Sequence, residues 1–215
     1  MFLITTVSSI SVLIYWGLLF LLKKIFSETS FFIFSRIAGG ILFGFTAFYF
    51  SEQSFRILGL HFTSPGYTIL FIIAGIVITY WFTRKFLITN AVNIANYPQI
   101  RLPKWSKTLF ILNKISWAIY LTGYELLIRG LLFYYPVFVL NIPLYIVFPL
   151  NILFYALAHL PKGKMETLGS VPVGIIMGLS VIFLKNIYFP VIVHWFMGWF
   201  NEGLSFKANN FKIIK

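Results

Sequence analysis

The chain contains no cysteine and no aspartate, and its five acids are all glutamates: Glu28, Glu52, Glu125, Glu166 and Glu202. Without cysteine, disulfides, thiol catalysis and cysteine-based metal sites are excluded. Charge of either sign is scarce: 10% of the 215 residues are charged, against about 25% in a soluble domain. What is abundant is apolar surface. Hydrophobic residues make up 60% of the chain and aromatics 20%, and the mean hydropathy is +0.90. The length and composition predict an all-α, polytopic transmembrane bundle of about seven spans in the lipid bilayer, since one helical span takes about 20 residues.

A net charge of +12 would suggest nucleic acid in a soluble protein. Here no basic run is interleaved with aromatics in the manner of a nucleic-acid groove, so no nucleic-acid partner is expected. Sorted by alternate loops, twelve lysines and arginines, from Lys23 and Lys24 to Lys212 and Lys215, fall on one side, and only Arg56 and Lys185 on the other. The positive-inside rule then predicts a multi-pass cell-membrane protein with its N-terminus outside and its C-terminus in the cytoplasm. Arg36 and Lys114 enter the membrane from the inner side and are expected to snorkel back to it.

The apolar spans are read at residues 2–22, 31–50, 66–82, 108–135, 143–160, 168–184 and 188–206. The first lacks a basic leader and a small-residue cleavage site, which makes it an anchor and not a removable signal peptide. The longest polar stretch, "TRKFLITNAVNIANYPQIRLPKWSK" (83–107), reads as a surface loop with a helix at the membrane interface, because Phe86, Leu87 and Ile88 interrupt its polar residues. It divides the chain into residues 1–105, with spans one to three and this loop, and a core at 106–206 with spans four to seven. Gly40/Gly44 and Gly174/Gly178 stand at the spacing that lets helices approach closely.

Few ionisable groups lie at membrane depth. Glu125 and Arg129 stand four apart in "TGYELLIRGLLFYY" and so share one helix face. His159 ends span five in "FYALAHLPKGK", and His194 lies about two turns into span seven in "FPVIVHWFMGWFNEG". A buried ion pair that fixes helix register would explain the first two, and an interfacial histidine the third. A histidine as deep as His194 requires a partner. Together these groups suit hydrolysis of a peptide or ester bond: a carboxylate to activate water, histidines to hold it or donate to an oxyanion, and an arginine to orient the carboxylate. Two histidines on separate helices without a third ligand make a poor zinc site, so neither metal nor cofactor is expected. Glu166, two residues before span six, is either a solvated helix-start acid or a carboxylate turned toward His159.

The segments "YELLIRG" (124–130), "FYALAHL" (154–160) and "FPVIVHW" (189–195), in that order and with the glycines of "VGIIMGL" (173–179) between the last two, resemble the three motifs of the CPBP intramembrane proteases. That family comprises the type II CAAX prenyl endopeptidases and the bacterial Abi, or bacteriocin-processing, proteins. Its pattern is Glu-Glu-x-x-x-Arg, then Phe-x-x-x-His, then His-x-x-x-Asn or Asp, and the likeness covers residues 106 to 205. The resemblance implies a CPBP-like core in which Glu125, Arg129, His159 and His194 are catalytic. The chain departs from the pattern at Tyr124, where the family has its first glutamate, at Tyr155 in place of phenylalanine, and at Gly198 in the Asn slot. Asn201 and Glu202, one turn beyond Gly198, are the residues that could stand in for that amide. A phenol titrates near ~10 and cannot serve as a base at neutral pH, so activity would run through Glu125 or Glu166.

The leading expectation is therefore a glutamate-type intramembrane endopeptidase acting on a peptide or protein substrate in the membrane. Two alternatives stand beside it: a non-catalytic interaction, immunity or maturation subunit working with a membrane-protein partner, and a proton-coupled transporter that relays protons through Glu125 and the histidines. The charge asymmetry makes the first prediction. Single cysteines replacing Lys104 and Lys164 should label from the cytoplasmic side, and one replacing Asn141 from outside; labelling of 104 and 141 from the same side would reject this topology.

Overall fold

The computed structural model describes residues 1–87 and 97–214, except for the side chain of Lys162. Of the stretch 83–107, where a loop with an interfacial helix is expected, residues 88–96 lie outside the described residues, and Thr83–Leu87 form a π-helical turn. Among those described, the chain is helical almost throughout. The helices are α1 (Phe2–Ile25), α2 (Glu28–Phe50), α3 (Pro65–Phe82), α4 (Lys107–Glu125), α5 (Leu144–Leu157), α6 (Lys164–Leu184) and α7 (Tyr188–Ala208). Among the described residues, four helical stretches are long and apolar enough to cross a membrane: Phe2–Ile25, Glu28–Phe50, Pro65–Lys85 and Lys164–Leu184. The others fall short for visible reasons. α4 carries Lys107, Lys114 and Glu125, α5 has only 14 residues, and α7 carries His194, Asn201 and Glu202.

α4 does not stop at Glu125. It continues as a π-helix over Leu126–Val139, in which the hydrogen bonds reach five residues back, as from Leu140 N to Tyr135 O at 3.1 Å. Pro136 sits inside this segment, where its missing N–H removes one donor from the ladder. Every residue from Leu126 to Pro136 is buried. A helix that is apolar all round belongs at the centre of a bundle. One hydrophobic cluster runs from Ile4 and Tyr15 through Phe43 to Tyr124, Leu131, Val147 and Tyr155, joining α1 and α2 to this central element. By contrast α1 and α3 leave most of their apolar side chains uncovered, among them Leu13, Ile69, Val77 and Ile78.

Glycines set the closest helix approaches. A Cβ on Gly123 of α4 would overlap the backbone of Gly40 on α2, and one on Gly40 would overlap the Ile119 backbone. Gly44 meets α4 at ordinary contact distance. Gly174 and Gly178 on α6 face Tyr155 and Phe148 of α5, with Cβ positions 3.1 and 2.7 Å from those rings. Each expected glycine therefore receives a neighbouring helix.

The two ends of the chain's second half are tied by a small parallel ladder, β1 (Lys104–Ser106) with β2 (Lys212–Ile214). Three-residue strands carry too little alternation to read from sequence. Ser106 also caps α4, its hydroxyl accepting from Leu109 N at 3.1 Å, as an N-cap serine does.

The close crossing of α2 and α4 has a measurable consequence. Gly123→Ala should cost at least the upper part of the ~1–3 kcal/mol typical of overpacking. Gly169→Ala, on α6 with nothing within 4 Å of its Cβ position, should be neutral or stabilise by up to ~1 kcal/mol. Thermal unfolding in detergent compares the two; equal effects would contradict the crossing.

Candidate functional site

Glu125 is the last residue of α4 before the π-helical segment, and it is entirely inaccessible to solvent. Its carboxylate meets two partners. Oε1 lies 2.5 Å from His194 Nδ1 on α7, and Oε2 lies 3.5 Å from Arg129 Nε, one turn on along its own helix. A carboxylate beside an arginine can only accept, so His194 Nδ1–H donates and Nε2 is the ring nitrogen left for other work. The contact to Arg129 is an ion pair without a hydrogen bond: Glu125 Oε2 and Arg129 Nε and Nη2 are buried with no hydrogen-bond partner.

Arg129, also with no solvent exposure, is held from the other side by α5. Its Nη1 donates to Asn151 Oδ1, and Asn151 Nδ2 donates to the Ile128 carbonyl at 2.7 Å. One amide thus fixes the guanidinium and the π-helical backbone together. The guanidinium also lies over the Tyr155 ring, 4.6 Å from its centroid, a cation–π contact that a desolvated setting strengthens. Asn151 went unnoticed in the sequence. Its signal was there: an amide eight residues before His159 in an otherwise apolar helix requires a buried partner.

Tyr155 joins the second histidine to the cluster. His159 follows the end of α5, and its Nδ1–H donates to the Tyr155 carbonyl at 2.8 Å, so Nε2 is again the other ring nitrogen. The two rings lie 4.8 Å apart. Tyr124 stands between the histidines, edge-on to His159 at 6.2 Å and to His194 at 5.8 Å. Its phenol makes only a long contact, 3.5 Å, to the Tyr155 carbonyl. Span boundaries read from the sequence set His159 near the inner surface and His194 nearer the outer one. Because α5 is only 14 residues long, the structure brings both to Tyr124 and Tyr155. His159 is half-buried, while Glu125 and Arg129 are sealed.

The remaining expected residues lie elsewhere. Gly198 packs against Leu121 and Trp117, with its Cβ position 3.2 Å from Leu121 Cδ1, which leaves little room for an amide side chain. Asn201 Oδ1 is buried without a hydrogen-bond partner. Glu202 enters a separate network at 3.6 Å from Arg36 Nη2, with Asn113 Nδ2 donating to its Oε2 at 3.2 Å. Arg36 also donates to Asn113 Oδ1 at 2.5 Å and to Gln99 Oε1 at 2.6 Å, and it stacks over Trp117 at 4.2 Å. Arg36 is therefore buried and paired instead of snorkelling, because Glu202 on α7 offers it a counter-charge inside the bundle. Lys114 stays half-exposed over the Phe110 and Trp199 rings. Glu166, in the first turn of α6, hydrogen-bonds the Tyr97 phenol.

Among the described residues, no group of three or more His, Cys, Asp or Glu could hold a metal ion. The cluster comprises one carboxylate, two imidazoles hydrogen-bonded through their Nδ1 atoms, and an arginine whose Nε pairs with the carboxylate and whose Nη2 makes no hydrogen bond. No family model, curated protein or solved structure matches the chain.

Removing one partner of a buried ion pair strands the other and typically costs about 3–5 kcal/mol, whereas replacing both by apolar groups is often near neutral. Arg129→Met should therefore destabilise by that amount, and Glu125→Leu combined with Arg129→Met should recover more than half of the loss. Unfolding in detergent measures both; an additive double variant would mean the two charges do not act as a pair.

Proposed function

We propose that this chain is an intramembrane endopeptidase of the CPBP type that crosses the membrane seven times and hydrolyses a peptide bond at the Glu125–His194 pair. The observation that carries the reading is the convergence of Glu125, Arg129, His159 and His194, from three separate segments, on one buried cluster. In this mechanism His194 is the base. Glu125 holds its Nδ1–H and stabilises the imidazolium that forms, and Nε2 takes a proton from water as the water oxygen attacks the scissile carbonyl carbon. The same proton passes from Nε2 to the leaving nitrogen as the C–N bond breaks, giving an amine and a carboxylic acid that then loses its remaining proton to water. His159 Nε2 holds the attacking water. Arg129 Nη2, which makes no hydrogen bond, is the donor for negative charge developing on the carbonyl oxygen.

One observation favours a second reading, a non-catalytic membrane subunit. The Tyr124 ring lies between the two imidazoles, in the place the motif pattern gives to a glutamate. A polar core kept for folding would look the same.

Cleavage of membrane-embedded peptides by proteoliposomes, read by mass spectrometry, separates the two. Glu125→Gln, His159→Ala and His194→Ala should each slow cleavage roughly 10²- to 10⁴-fold per folded molecule, and a chelator should leave the rate unchanged. Cleavage at the parental rate in both histidine variants would reject the enzyme. The subunit reading expects Glu125→Gln to keep function and a bulky residue at Gly174 or Gly178 to destroy it.

A further inference from the structure

The one β-ladder among the described residues carries a like-charge pair. β1 and β2 run parallel, with Lys104 opposite Lys212, Trp105 opposite Ile213 and Ser106 opposite Ile214. Trp105 is buried in the bundle, so its β1 neighbours Lys104 and Ser106 point outward, because side chains alternate along a strand. Lys104 and Lys212 are both exposed, and like charges directly opposite on a ladder repel. Lys107 adds a third exposed cation as the first residue of α4, where the helix end already carries partial positive charge. Among the described residues, no glutamate pairs with any of the three lysines. They are held together at a cost that nothing in the described chain offsets.

The ladder's place in the bundle identifies what offsets it. Trp105 packs with Ile100 and Phe206, and Phe32 and Ile33 in the second turn of α2 close over that cluster. α2 is of membrane length, so the ladder lies within roughly 7 Å of the helix start at 1.5 Å per residue. That is the depth at which lipid headgroups meet the apolar core. Lys114, seven residues beyond Lys107 and so on the same face of α4, stays half-exposed over the Phe110 and Trp199 rings, and tryptophan beside lysine is the composition of a membrane–water boundary. The ladder also leaves aliphatic surface uncovered: Leu102, Ile213 and Ile214 are 40%, 44% and 46% exposed. Cations interleaved with exposed aliphatics suit an interface of anionic headgroups over acyl chains, whereas an acidic soluble partner would match the cations alone.

We propose that the β1–β2 ladder is a binding surface for anionic phospholipid, with headgroup phosphate against Lys104, Lys107 and Lys212 and with Leu102, Ile213 and Ile214 in the acyl boundary beside it. The phosphate supplies the counter-charge that the ladder lacks and screens Lys104 from Lys212. Because β1 leads into α4 and β2 follows α7, lipid bound across the ladder fastens together the ends of the two helices that carry Glu125 and His194. This surface is independent of whether that pair is catalytic or structural.

The test supplies the full chain, in nonionic detergent, with phosphatidylglycerol or with zwitterionic phosphatidylcholine, and counts retained lipid by native mass spectrometry. Phosphatidylglycerol should be retained in preference, and glycerol phosphate, which has the charge without the chains, should not displace it. A lysine beside an anionic lipid surface strengthens binding about fivefold. Lys104→Gln, Lys107→Gln and Lys212→Gln together should therefore weaken phosphatidylglycerol binding roughly 10²-fold, while Lys23→Gln, Lys24→Gln and Arg84→Gln, which remove the same charge elsewhere, should weaken it far less. Thermal unfolding adds a sign that a merely structural lysine would not give. Without lipid, Lys104→Gln should melt higher than the parent, because its repulsion from Lys212 is gone; phosphatidylglycerol should raise the melting temperature of the parent and leave that of the triple variant nearly unchanged. Equal retention of the two lipids, displacement by glycerol phosphate, or equal weakening in the two variant sets overturns the proposal. A lower melting temperature for Lys104→Gln without lipid overturns it too, since Lys104 would then be paired within the chain.

Discussion

The contact between the Glu125 carboxylate and His194 Nδ1, balanced by Arg129, is the constraint around which the bundle is arranged. A carboxylate with no access to water requires both a counter-charge and a hydrogen-bond donor within reach. The counter-charge comes from the next turn of the same helix and the donor from α7. That requirement locks the rotation of α7 relative to α4. It also explains Asn151: once Arg129 is buried beside Glu125, its remaining nitrogens need acceptors, and α5 supplies one together with the Tyr155 ring.

Packing then serves this polar centre. The α2–α4 crossing at Gly40 and Gly123 falls directly beside Tyr124 and Glu125, so the smallest residues stand where the central helix has to be approached most closely. Gly174 does the same for Tyr155, whose ring and carbonyl hold Arg129 and His159. Eight residues along α7, roughly 12 Å at 1.5 Å per residue, a second buried pair repeats the solution with different partners: Arg36 and Glu202, bridged by Asn113 and Gln99. The two networks pin α7 at two heights against α4, and α2 joins at the second. A helix with two such pins resists both rotation and sliding, which suits a site that has to hold an imidazole within hydrogen-bond distance of a carboxylate.

Much of this was legible in the sequence, for a physical reason. Charged residues in an apolar chain are so costly that their positions alone marked Glu125, Arg129 and His194, and the apolar runs located the helical segments. What was not legible depends on partners distant in the chain. Arg36 read as a snorkelling residue because nothing local reveals Glu202, 166 residues away. Gly198 read as a missing amide, and only the approach of Leu121 and Trp117 shows why that position is small. The π-helical run after Glu125 has no periodic signature that separates it from an ordinary helix over 14 residues. Asn151 was within reach, since a lone amide in an apolar span obeys the same rule that identified the charges.

The hydrogen bond from His194 Nδ1 to Glu125 is the element on which the account turns, and nitrogen-15 NMR of histidine-labelled protein reads it directly. The chain has three histidines, His61, His159 and His194, so the His194 signals can be assigned by their loss on His194→Asn. The account predicts a His194 ring with a protonated Nδ1 and a bare Nε2, and a shift of the Nδ1 resonance on Glu125→Gln. A His194 protonated on Nε2 with a bare Nδ1, unaffected by Glu125→Gln, would contradict it.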